Sequence, residues 1–183
     1  MDAADWLGLL ATVSAILLFL LVILRISRAT KRQQSNQKLQ LLNDIEDWAK
    51  EVISCGFGEN FNQAQEITDG EQLRSFTLDH LGKMRRRFVA MRTRGRRMGK
   101  VAATFGQDLQ DAVSLLIERL VEHVSLLSEC INTVPKNTNA TTSEFDEALT
   151  RAIASEAELS ESAYIIIEAI TRNRTVNVAD EIS

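Results

Sequence analysis

Proline, glycine, aromatics, cysteine and histidine are all scarce in this chain. One proline and eight glycines stand among 183 residues. Val, Ile, Tyr and Phe do not gather into alternating runs between turn signals. That poverty of turns and alternation excludes most β-rich architectures and leaves an all-helical protein. Two cysteines, Cys55 and Cys130, match no metal-site spacing, and no disulfide framework can be drawn from them in a reducing compartment. With His80 and His123 as its only histidines, the chain offers too few converging ligands for a metal centre, so no metal and no cofactor are expected. The sequence also lacks G-x-S-x-G, E-x-x-H and a glycine-rich phosphate loop followed by lysine; Gly56-Phe-Gly58 and Ser54-Cys55 carry neither chemistry. Its carboxylate groups, Asp44, Glu46 and Asp47 or Glu156, Glu158 and Glu161, have the spacing of solvated helix faces. No catalytic residue is expected, and the chain reads as a non-enzyme.

What is present begins with nineteen uncharged, mostly apolar residues, Trp6 to Leu24, followed by Arg25, Arg28, Lys31 and Arg32. At ~1.5 Å rise per residue the run would cover ~28 Å, near the hydrocarbon thickness of a bilayer. Acids before the run, Asp2 and Asp5, and cations after it are the reverse of a signal peptide. The expectation is a single-pass membrane protein with residues 1–5 outside, a span over 6–26, a polar stalk over 27–37 and the remainder cytosolic.

Net charge is −4, but it is unevenly placed: residues 25–100 hold 16 basic and nine acidic side chains, and residues 101–183 hold five basic and 14 acidic. Four amphipathic segments follow the stalk, at about 38–55, 71–95, 100–132 and 143–174, with a disordered tail over 175–183. Leu39, Leu42, Ile45, Trp48 and Val52 share one face of the first. Thr68-Asp-Gly-Glu71 has the arrangement of a capping box for the second. A seven-residue rhythm through Met84, Phe88, Met91, Gly95, Met98 and Ala102 permits one long helix. Two glycines amid six basic side chains, however, favour a break at 95–99. Phe105, Leu109, Leu116, Leu120, Val124 and Leu127 mark the third segment. Phe145, Leu149, Ile153, Ala163, Ile167 and Ile170 mark the fourth. Each stripe needs a partner, and an antiparallel bundle or coiled-coil-like domain of three to four helices is the economical solution.

One feature has functional edge. Lys83, Arg85, Arg86, Arg87, Arg92, Arg94, Arg96, Arg97 and Lys100 form nine cations with no acid between Asp79 and Asp108. Together with Arg25, Arg28, Lys31 and Arg32 they are the candidate lipid or polyanion contacts. Anionic headgroups would attract such clusters, the acids of the third and fourth helices could neutralise them, and phosphates of nucleic acid or an acidic partner could bind them. The functional expectation is a membrane-anchored helical interaction or scaffold protein engaging an unknown protein partner or itself. The alternative is a membrane-tethered nucleic-acid binder; no small-molecule substrate is expected.

Overall fold

A computed structural model describes residues 3–55, 70–135 and 143–182, leaving aside the side chains of residues 3–18, 20, 28 and 176–182. Among the described residues there are four helices and no strand: α1 (Ala3–Ser54), α2 (Gly70–Ala102), α3 (Gln107–Thr133) and α4 (Ser143–Ile182). The chain divides into two compact units, residues 1–41 and 42–183.

The first unit lies within the amino-terminal part of α1 and corrects the membrane reading. Among the described residues no helix is long and apolar enough to cross a membrane. The single-pass placement, with an outer N-terminus and a cytosolic domain, is therefore withdrawn, and the tether goes with it.

The second unit is a helical bundle. Its pairings fix the directions of the helices. Phe88 meets His123 and a Cβ at Gly99 would meet Val113, so α2 and α3 run antiparallel. Glu129 pairs with Arg151, His123 with Ser155 and Arg119 with Glu158, so α3 and α4 do too. The end of α1 docks on α2 through Trp48 and Glu51, and on α4 through Asn43 and Glu46. Both α2 and α4 thus neighbour α1 and α3 and occupy opposite corners.

The core follows from the apolar rows. Leu42, Ile45, Trp48, Ala49 and Val52 of α1 are buried, as are Leu81, Met84, Phe88 and Met91 of α2. From α3 come Leu109, Val113, Leu116, Leu120, Val124 and Leu127. On α4 the buried row is Ala148, Ala152, Ser155, Leu159, Ala163, Ile166 and Ile170. Small residues at the start of that row leave room for α3 to approach closely. They also turn Ile153, expected in the core, out to solvent with 51% exposure.

The break expected at 95–99 does not occur; α2 continues through both glycines to Ala102. The chain turns instead at 103–106, where Thr104 N–H donates to Val101 O and Phe105 N–H to Ala102 O, tightening the last turn. Gly106 then adopts φ 121°, a conformation that residues bearing a Cβ rarely take, and α3 starts behind it. Glycine at 95 serves packing rather than termination: a Cβ there would lie 2.6 Å from Trp48 Cζ2 and 3.1 Å from Ile117 Cγ1. At its far end α4 continues as helix to Ile182, beyond the boundary expected at 175. The capping box at Thr68 and the loop residues 136–142 lie outside the described residues.

Candidate interaction surface

Helix α2 positions the basic run. Leu81, Met84, Phe88, Met91 and Gly95 recur at three and four residues and face the core, so residues between them project outward. Lys83, Arg85, Arg86, Arg87, Arg96, Arg97 and Lys100 lie on this outward side, and Arg92 and Arg94 stand at its flanks. Among the described residues two of the nine form ion pairs: Lys83 with Asp79 at 2.6 Å and Arg94 with Glu51 of α1 at 2.8 Å. The neighbouring ammonium of Lys83 holds the Asp79 carboxyl below its ordinary range.

The ion pairs that acids of α3 and α4 make among the described residues go to other arginines. Arg119 bridges Glu122 of its own helix and Glu158 of α4, and Arg151 pairs with Glu129. Arg174 reaches Glu46 and Asn43 on α1. Hydrogen bonding from Lys50 and the nearby Arg174 guanidinium hold the Glu46 carboxyl below its ordinary range, against the opposing effect of burial. The interhelical pairs therefore act as clamps between helices and leave most of the α2 cations facing solvent.

Arg25, Lys31 and Arg32 are exposed on α1 and belong to the first unit, as does Arg28. The structure therefore assigns the two groups of expected contact residues to different units.

The histidines and cysteines take structural places. His123 is fully buried between α2 and α4, edge-on to Phe88 at 4.5 Å between ring centroids and 3.3 Å from Ser155 Oγ through Nδ1. Burial pushes its pKa down to about 4, so the ring is neutral near pH 7. His80 stacks on Phe76 at 6.0 Å. Cys55 and Cys130 are buried free thiols, and desolvation raises the pKa of each, which keeps them protonated and weakly nucleophilic. Among the described residues no three His, Cys, Asp or Glu side chains gather as metal ligands.

Sequence reasoning missed the outward row of α4. Asp146, Thr150, Ile153, Ala157, Glu161, Tyr164 and Glu168 recur at three and four residues on the side away from the buried row. Ile153 and Tyr164 are 51% and 57% exposed, so a helix with a buried stripe on one side carries a second, acidic and partly apolar stripe on the other. The spacing alone could have shown it, because Ile153 and Tyr164 are eleven residues apart, three helical turns.

Fold and surface together define a helical bundle with an arginine-rich face and, among the described residues, no cluster of metal ligands. No protein-family model, no curated protein and no solved structure matches the chain.

Proposed function

We propose that this chain is a non-enzymatic helical interaction module that uses the exposed face of α2 to engage a negatively charged protein surface. One observation carries the reading: of nine cations between Lys83 and Lys100, only Lys83 and Arg94 form ion pairs among the described residues. A concentration of like charge on one rigid helix disfavours the isolated state through self-repulsion, and an acidic partner relieves it. Seven of the nine are arginines, whose planar guanidinium groups donate paired hydrogen bonds to carboxylates and are weakly hydrated, which suits an interface. The bundle beneath supplies rigidity, since Phe88 and Met91 are locked in the core between the cations.

The test is titration of the full chain with fluorescent poly-glutamate at increasing salt. Binding that weakens with salt and is lost on reversing Arg85, Arg86 and Arg87 to glutamate supports the proposal. Undiminished binding by that variant removes it.

The same preference for arginine favours a second reading, in which the run contacts nucleic-acid phosphates and releases counterions. Tighter binding of duplex DNA than of poly-glutamate at equal salt would select that alternative.

A further inference from the structure

The outward faces of α2 and α4 match each other in spacing, shape and charge. On α2 the row Arg86, Ala90, Thr93, Arg97 and Lys100 has steps of four, three, four and three, the repeat of a coiled-coil seam. Small side chains occupy the middle of that row and cations its ends. On α4 the row through Ile153, Ala157, Glu161, Tyr164 and Glu168 has the reverse design, a projecting aromatic ring between two carboxylates. Glu161 and Glu168 form no ion pair among the described residues, whereas Glu158 is held by Arg119.

We infer that the α4 face of one copy docks on the α2 face of a second copy, with Tyr164 seated over Ala90 and Thr93. This inference rests on the proposed role of α2 as an acid-binding face and names the partner as another copy of the chain. With ~1.5 Å rise per residue, Glu161 and Glu168 fall ~4.5 Å and ~6 Å to either side of Tyr164 along the helix. Arg97 and Arg86 fall ~8 Å to either side of the midpoint between Ala90 and Thr93. Extended arginine side chains span those differences, so both carboxylates meet a guanidinium whichever way the two helices run. The aromatic ring gains a shallow apolar seat and the flank of a cation beside it.

The position of the two faces sets the kind of assembly. Both α2 and α4 neighbour α1 and α3, so they sit at opposite corners and their outer faces point away from each other. One pair of copies cannot satisfy both faces at once by two-fold symmetry. Each contact leaves a free α2 face at one end and a free α4 face at the other, which gives a head-to-tail, concentration-dependent series.

Sedimentation of the full chain at about 0.05 M salt, where a surface pair is weakly screened, tests this directly. The wild-type chain is expected to sediment as a distribution whose mean mass grows with concentration and collapses toward the monomer at high salt. Reversing Arg86 and Arg97 to glutamate blocks one face, and Tyr164→Asp blocks the other; each variant alone is expected to associate about 100-fold more weakly. Mixed, they retain one native α2 face and one native α4 face, so they pair one to one and stop. Circular dichroism confirms that each variant folds, and Arg86→Gln with Arg97→Gln, and Tyr164→Ser, replace any that does not. A monomeric wild-type chain, a closed two-fold dimer, undiminished association of either variant, or a mixture that forms no pair overturns the inference. A monomeric chain that still binds poly-glutamate through Arg85–Arg87 overturns self-assembly alone; loss of both overturns the acid-binding reading as well.

Discussion

The indole of Trp48 occupies the space that Gly95 leaves on the surface of α2. A Cβ at residue 95 would lie 2.6 Å from Trp48 Cζ2, and the indole Nε1–H donates to the carbonyl of Met91 at 3.0 Å. In an α-helix the carbonyl of Met91 is also the acceptor for the Gly95 amide, so the indole uses its second lone pair. Glycine therefore gives up helix propensity to seat the largest side chain of the core. Gly95→Ala is expected to destabilise the bundle by about 1–3 kcal/mol, the range for overpacking a core. Gly99→Ala, whose Cβ would meet Ile117 Cδ1 at an ordinary 3.6 Å, is expected to be neutral or stabilising by up to about 1 kcal/mol. Thermal melts of the two variants check the contrast; equal effects would remove the packing explanation.

A smaller ring at residue 48 should relieve that clash. Trp48→Phe loses the hydrogen bond to Met91 and leaves a cavity, at a cost of about 2 kcal/mol. Combined with Gly95→Ala, the two costs should sum to more than the double variant shows, by about 1 kcal/mol. Denaturant melts of all four chains measure the coupling, and simple additivity would show that the two residues do not share one space.

The same pair explains what is legible in the sequence. The rhythm Met84, Phe88, Met91, Gly95, Met98, Ala102 correctly describes the buried side of α2, while the glycines within it carry the local signature of breakers. Breaker logic prices the backbone of an isolated helix; it does not see Trp48, far earlier in the chain, filling the gap at Gly95. Gly106, the real break, gives no stronger local signal than Gly95. Helix existence and the all-helical class are readable because polar and apolar positions separate cleanly by face. On α4 the large residues mislead, because Ala148, Ala152 and Ser155 face the core while Ile153 does not. Size there is a poor guide to burial, since close approach to α3 demands small side chains. The nine cations of the basic run are visible at once, but where the acids of α3 and α4 find their partners is not. It depends on Arg119, Arg151 and Arg174 engaging Glu158, Glu129 and Glu46. The membrane span rests on apolar composition alone, and the described helices do not support it.

His123 makes the bundle sensitive to mild acid. It is fully buried, and desolvation lowers its pKa from 6.5 to about 4. Between those values the unfolded chain binds a proton that the folded chain refuses, so stability rises with pH across the window and is complete above about 6.5. Acidification from pH 7 to pH 4 should remove on the order of 3 kcal/mol through this one residue, since each tenfold loss of proton affinity on folding corresponds to ~1.4 kcal/mol. His80, whose pKa is also lowered by burial and by Lys83, acts in the same direction. The measurement is therefore the difference between the wild-type chain and His123→Leu, which removes the proton site and keeps an apolar side chain against Phe88. Parallel stability curves for the two chains from pH 7 to pH 4 would show that His123 is not the acid-sensitive group.

The Arg174–Glu46 pair gives an effect at lower pH. It joins residues 128 apart, near the two ends of the folded unit, and the Glu46 side chain is only 14% exposed. Its carboxyl is held below its ordinary pKa of 4.5, first by Lys50 and then by Arg174, so its contribution is present above 4.5 and is lost as pH falls through the folded value. Arg174→Ala also gives up the hydrogen bond to Asn43 and should cost about 1–2 kcal/mol at pH 7. Arg174→Lys should recover only part of this, since one ammonium cannot reproduce the geometry of a guanidinium shared between an amide and a carboxylate. As pH falls below the folded pKa of Glu46 the charged component disappears from the wild-type chain, so the cost of Arg174→Ala should shrink toward that of the Asn43 bond alone. A cost that stays constant down to full protonation of the carboxylates would show that Arg174 holds α4 to α1 by packing and amide contact, with no contribution from the carboxylate.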